Sequence, residues 1–384
     1  MKNLIVVFER AWRKWFVYPV FRLVLRNKRV ALPLDLSSVN SVLILRYDKI
    51  GDMIVTLPIF RILKSRNPQL HIGVLASETN VEIVRNEKSV DRIFILYRNP
   101  FKLLMELLRV RRTHYRVVLN FIFNRMTSGA LIANFICPRA ITIGQGQEKY
   151  AFYFNGLLSL TRGTTHMFEM LIGYVERVFG LTVTEEERVL RLAFDPNAAE
   201  TVNRFLALKN LRRRTALKNA GSDYIVFNVS ARQENKQLSE PQSCAIANYL
   251  VGEGRLRTIV ISAPEDRAHG NHVVNQAHNS GCMYFPDAGF ADLGEIASLI
   301  EGALCVITPD TAIIHIASAV CTPVLGIFTP MQVNVEWLPY RVKYDLIRAP
   351  EGQPVSSISS EILISGIRKF LESVMMVEQT KEVA

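Results

Sequence analysis

The chain has 384 residues, 49% of them hydrophobic and 21% charged, which is the make-up of a folded protein and excludes disordered, collagenous and repeat-array chains. Lys and Arg number 46 against 35 Asp and Glu, so the net charge is +11, pointing to an anionic partner: nucleic acid, a membrane surface or a phosphorylated substrate. Five cysteines without a CxxC pair suit a reducing compartment and exclude a zinc ribbon or disulfide framework. Seven histidines contain no HExxH, and His269 and His272 stand in a polar stretch, so no metal site is expected. In chain order, residues 1–34 come first, with eight basic residues against one acid, Glu9. Trp12, Trp15, Phe16, Tyr18 and Phe21 are interleaved among them. The longest apolar run, Trp15 to Phe21, falls short of the roughly 20 residues that span a bilayer. A small-residue cleavage site is missing, which argues against a signal peptide. A basic, aromatic, amphipathic helix suits an anionic leaflet surface; packing on the chain's own domain is the alternative.

Beyond Pro33 the pattern turns to short apolar runs separated by helical stretches. Strands are expected at Ser41 to Arg46, His71 to Ala76, Arg92 to Leu96 and Val117 to Phe121. Helices are expected over about 53–66, 79–86 and 101–112. The alternation restarts with helix 196–210 and strands Tyr224 to Val229, Arg257 to Ser262, Cys305 to Thr308 and Val324 to Phe328. Helices are expected near 241–253, 267–279, 312–320 and 360–377. Two successive βαβ series imply an α/β chain of two doubly wound domains facing each other across a cleft. The domains are set at 37–187 and 188–358, after a docking segment 1–36 and before a C-terminal helix and tail 359–384. Lys209 to Lys218 is rich in Lys and Arg without an acid and reads as a solvated basic loop. Neither GxGxxG nor GxxxxGK[ST] occurs at a strand-to-helix turn, which excludes a P-loop and weakens a nicotinamide or flavin reading.

Three constellations carry chemistry. Arg46-Tyr47-Asp48-Lys49-Ile50-Gly51-Asp52 lies at the carboxyl end of the first strand, where open α/β sheets bind ligands. Gly51 permits close backbone approach, and Asp52 reads either as a helix cap or as a general base. Thr308-Pro309-Asp310-Thr311-Ala312-Ile313-Ile314-His315 ends a strand and opens a helix, whose free N–H groups suit a pyrophosphate. Asp310 is alternatively a simple cap, and His315 alternatively structural. Asn228-Val229-Ser230-Ala231-Arg232, running on to Lys236, is a polar loop with two cations that suits phosphates or is merely exposed.

Taken together, these stretches resemble glycosyltransferase family 9, the ADP-heptose:lipopolysaccharide heptosyltransferases, from about residue 40 to 375. The resemblance rests on I-G-D-x-x-x-T-x-P, a loop lysine and a late D-[ST]-[GA]-x-x-H in the right order. It implies two facing Rossmann-like domains of the glycosyltransferase B fold, here with an N-terminal amphipathic helix. It implies Asp52 as the base on the acceptor hydroxyl, Lys236 on the donor phosphates and Asp310 on the donor sugar. Thr311 and Ala312 would be phosphate donors, His315 the motif histidine and Glu265 the acid near the adenosine ribose. Ser230, Arg232 and Gly51 complete the substrate-binding set, and Phe285 to Leu293 would line the base pocket. The implied reaction is an inverting, metal-independent transfer from ADP-heptose to a lipid-linked anionic acceptor of the lipopolysaccharide inner core. No cofactor and no nucleic acid partner are expected. Domain closure would bring Asp52 to the anomeric carbon. The implied location is the inner face of a Gram-negative cytoplasmic membrane. The chain departs from the family's K-x-W-P in reading Lys236-Gln237-Leu238-Ser239, and has Ala312 where Gly is common. That leaves two alternatives: another nucleotide sugar in surface polysaccharide assembly, or a non-catalytic assembly protein.

Overall fold

The computed structural model describes residues 18–25, 27–123, 126–213, 224–277, 280–330 and 335–383. Residues 1–17 and 26 of the docking segment expected at 1–36, half of it, therefore lie outside the described residues. The chain divides into two compact units, Met1–Arg188 and Val189–Ala384.

The first unit is built on a six-stranded parallel sheet. Its strands are β1 (Ser41–Leu45), β2 (His71–Ser77), β3 (Arg92–Leu96), β4 (Val117–Asn120), β5 (Ile141–Gln145) and β6 (Gly156–Leu158). Their order is β3-β2-β1-β4-β5-β6. β1 is a continuous apolar run because both its faces are covered, as parallel strands require. Its Ile44 pairs with Val74 on one side and Leu119 on the other. The helices are α1 (Tyr18–Val24), α2 (Ile50–Ile54), α3 (Leu57–Arg66), α4 (Val81–Val84), α5 (Pro100–Arg111), α6 (Met126–Ile136) and α7 (Met167–Phe179). The single helix expected over 53–66 is two. Pro58 lacks an N–H to continue a ladder, so it sits in the first turn of α3. The Thr56 hydroxyl bonds back to the Asp52 carbonyl at 2.8 Å, closing α2. α7 ends at Gly180, whose φ of 66° is the left-handed cap that glycine adopts without strain.

The second unit repeats the winding. Its strands are β7 (Tyr224–Asn228), β8 (Arg257–Ile261), β9 (Cys282–Tyr284), β10 (Val306–Pro309), β11 (Val324–Phe328) and β12 (Tyr344–Arg348). The order β12-β11-β10-β7-β8-β9 is that of the first sheet read from its opposite edge. The helices are α8 (Pro196–Leu208), α9 (Glu240–Val251), α10 (Arg267–Asn275), α11 (Leu293–Glu301), α12 (Ala312–Ala319) and α13 (Ser360–Val383). α13 lays Leu363, Ile367, Phe370, Leu371 and Val374 on the core of this unit, a stripe at helical spacing. Of the basic stretch expected at 209–218, residues 214–218 lie outside the described residues, and 209–213 are less solvated than expected. Lys209 pairs with Asp287, and Arg213 with Glu301 and the Ser298 carbonyl.

In each sheet the strand order reverses beside the first strand, between β1 and β4 and between β7 and β10. Such switch points are where doubly wound sheets bind ligands.

Candidate active site

β1 ends at Leu45, and the next residue, Arg46, has only 1% of its surface exposed. A cation tolerates that burial only when paired. Its Nε donates to the Asp52 carbonyl at 2.9 Å, and its Nη1 donates to the Phe121 carbonyl just past β4. Nη1 also meets Asp48 Oδ2 at 3.3 Å, and Nη2 lies 3.2 Å from Asp52 Oδ1. One guanidinium thus holds two carboxylates at the switch point of the first sheet. Asn80, itself buried, donates from Nδ2 to the Arg46 carbonyl at 3.0 Å and the Lys49 carbonyl at 3.4 Å, fixing the loop from behind. Burial pushes the Asp48 carboxyl up to about 7; the Arg46 charge opposes the shift and the Asp52 carboxylate adds to it. Asp48 Oδ1 is buried with no hydrogen-bond partner among the described residues, which fits that preference for the protonated form.

Asp52 is buried in the first turn of α2, next to the buried Gly51. The cap reading of Asp52 is corrected: α2 starts at Ile50, so the cap position falls on Lys49, and the Asp52 carboxylate turns to Arg46 instead.

The second unit assembles the other constellations at its own switch point. Asn228 closes β7 and donates from Nδ2 to Thr308 Oγ1 at 2.9 Å, to Thr311 Oγ1 at 3.3 Å and to the Ser230 carbonyl at 3.1 Å. Thr311 is the N-cap of α12, its hydroxyl accepting from Ile313 N at 3.3 Å. The cap reading of Asp310 is corrected in turn, since Thr311 holds that position. Asp310 instead forms an ion pair with Lys236. Ala312 is the first residue of α12, at a half-buried position. The Ser230 hydroxyl accepts from Ala263 N at 2.8 Å, which ties the loops after β7 and β8 together. His315 is buried, its ring edge-on to Trp337 with centroids 5.6 Å apart. Arg232 and Glu265 are exposed in the loops after β7 and β8, outside this network.

The departure from K-x-W-P has a local account. Leu238 is buried in the core, and Ser239 caps α9 in a reciprocal pair with Gln242. A proline does open α9, at Pro241. The altered loop is thus fully built around Lys236.

Sequence reasoning passed over four residues that order the site. Arg46 and Asp48 stood in the first constellation without a role, as did Asn228 in the third. Arg267 was not singled out. It donates to the Pro286, Asp287 and Gly289 carbonyls and lies over the rings of Tyr284 and Phe290 at 5.0 and 6.0 Å. It therefore shapes the loop 285–292, where Phe290 stands exposed. An arginine two residues after the Glu265 position was the available signal.

Paired six-stranded parallel sheets, each with a polar cluster at its switch point, are the glycosyltransferase B fold. The chain matches glycosyltransferase family 9 (heptosyltransferase) over residues 109–361 and belongs to that family of enzymes. It is 24% identical over 306 residues to lipopolysaccharide heptosyltransferase 3 of Escherichia coli, covering 76% of this chain and 83% of that one. Among solved structures it is similar to a family 9 glycosyltransferase of Veillonella parvula DSM 2008, with a TM-score of 0.70 at 19% identity over 89% of this chain and 99% of that one. The E. coli heptosyltransferase WaaC with ADP gives 0.66 at 16% identity, over 88% and 99% of the two chains.

Proposed function

We propose that this chain is an inverting heptosyltransferase that moves a heptose from ADP-heptose to a lipid-linked acceptor of the lipopolysaccharide inner core. The observation that carries the reading is the Asp52 carboxylate, buried and held by Arg46 at the end of β1. Support for the donor and acceptor comes from relatives, one named as acting in lipopolysaccharide synthesis and one solved with ADP.

In the proposed step the acceptor hydroxyl oxygen attacks the anomeric carbon of the donor. Asp52 takes the hydroxyl proton, and the bond from the anomeric carbon to the diphosphate breaks. ADP leaves with the bonding electron pair. A single displacement of this kind inverts the anomeric centre. The carbon passes through an oxocarbenium-like state, as in glycoside hydrolysis. Lys236 and the N–H groups that open α12 take the growing diphosphate charge. Asp310, paired with Lys236 in this structure, would face the sugar hydroxyls, and Thr311 and Ala312 the phosphates. Gly51 gives the acceptor room beside Asp52. Arg232 and Ser230 flank the phosphates, Glu265 the ribose, and His315 supports α12 from within. The transfer would occur at the inner face of the cytoplasmic membrane, with residues 1–36 as a docking segment.

The test is a thermal shift with a nucleotide panel together with Asp52→Ala. ADP and ADP-sugars should raise the melting temperature, and UDP should not. A general base contributes about 100-fold to 10,000-fold, so the variant should lose at least about 100-fold in transfer while keeping the ADP shift. Undiminished turnover would remove Asp52 as the base. A shift with UDP in place of ADP would favour another nucleotide sugar.

A further inference from the structure

We propose that the helix layer over one face of the first unit's sheet is a docking surface for an anionic lipid bilayer, with the outward stripe of α5 as its main element. α5 has two apolar faces. Val110 is fully buried and Leu107 packs beside it against the sheet, on the core that also holds Leu43, Leu75 and Phe94. At about 100° per residue, Phe101, Leu104, Met105 and Leu108 gather on the opposite side, within an arc of about 100°. Phe101 is 73% exposed, Leu104 48% and Met105 53%. One inward stripe is all that packing needs, so the outward one has no purpose in the fold.

Cations flank the outward stripe. Lys102 and Arg109 border one side and Arg111 the other, and Arg112 ends it, all exposed. The helix's one acid, Glu106, accepts from Ile95 N and also pairs with Arg109 at 3.3 Å, which leaves Lys102, Arg111 and Arg112 as the cations that it does not offset. The neighbouring helices extend the surface. α6 contributes Ala133 and Ile136 to the same core as α5, and exposes Phe135. The Arg111 guanidinium lies 5.8 Å from the Phe135 ring and bonds its carbonyl. α6 also reaches, through Ala130, the cluster on which Phe21 of α1 packs. α1 leaves Val20, Leu23 and Val24 exposed. Among the described residues, every large exposed hydrophobic side chain of the first unit lies on these three helices.

Charge selects the occupant. The first unit has 28 Lys and Arg against 15 Asp and Glu, a net of +13, and the second has 18 against 20, a net of −2. The whole excess belongs to the unit that carries the stripe. A second copy would bring like charges together across the contact, which disfavours self-association. Apolar side chains between arginines on the outer side of a helix layer match the interface of an anionic leaflet. The inference rests on the proposed function only in naming which membrane; the surface itself needs neither donor nor acceptor.

The experiment is co-sedimentation of the full chain with vesicles of phosphatidylcholine containing phosphatidylglycerol, and with phosphatidylcholine alone. The wild type should bind the anionic vesicles at least about tenfold more tightly. Leu104→Gln with Met105→Gln should weaken that binding about tenfold, as should Lys102→Gln with Arg112→Gln. Both double variants should keep the wild-type melting temperature and ADP shift, which separates lost docking from misfolding. Binding that neither variant changes overturns the proposal. So does a wild-type dimer in sedimentation velocity that Leu104→Gln with Met105→Gln dissolves while vesicle binding stays intact. An absent ADP shift would sink the heptosyltransferase reading and leave the vesicle result standing.

Discussion

The Asp48 carboxyl, half-buried beside the Arg46–Asp52 pair, is pushed up to about 7. With Asp48 protonated, Arg46 and Asp52 form a neutral pair, and deprotonation leaves two carboxylates on one cation. The sign of the stability effect follows. Folding raises the Asp48 value from 3.8 to about 7, so the folded state holds a proton that the unfolded chain has released. Stability therefore falls as pH rises from about 4 to about 7 and stays reduced above that window. Asp48→Asn keeps the site neutral throughout. Its melting temperature relative to wild type should be level near pH 4 and higher by pH 8. A gap that does not vary with pH would mean Asp48 titrates as an ordinary carboxylate. The Arg46 role was not legible in sequence for a physical reason: one of its acceptors, the Phe121 carbonyl, lies 75 residues away. Arg267 was hidden likewise, its acceptors lying about 20 residues on. That Asp52, Lys236, Asp310 and Thr311 stand beyond the ends of central strands was legible, because each motif follows its strand directly in the sequence.

At the scale of elements, α12 joins fold to chemistry. Its cap, Thr311, bonds its own helix and also receives Asn228 from β7. Thr311→Ala should cost about 1 kcal/mol in denaturant unfolding and should weaken ADP binding in calorimetry. Thr311→Ser should restore both. Lost stability with intact ADP affinity would limit Thr311 to a structural cap. Central strands such as β1, β7 and β11 were readable because continuous apolar runs mark strands buried on both faces. β6 and β9 are three-residue edge strands, too short to carry a period. β12, also an edge, is largely exposed and mixes Asp345 and Arg348 with its apolar residues. α6 escaped because MTSGALIANFI has small and apolar residues on all sides, with no polar face to define a helix.

At the scale of the molecule, the two units share one winding and divide the labour of charge. The sequence pattern of two βαβ series anticipated the repeated sheet, and the total charge set the size of the cationic excess. Neither located the charge, because burial and element boundaries decide which cations share a surface. The outward stripe of α5 carries a kinetic consequence. A chain held by that face would meet a lipid-linked acceptor in two dimensions. Turnover would then follow the mole fraction of acceptor in the leaflet, not its bulk concentration. Adding neutral lipid at constant total acceptor should slow the reaction in vesicles. It should leave unchanged the rate on a detergent-free, water-soluble acceptor fragment. Equal rates at every lipid dilution would mean the chain samples its acceptor from solution.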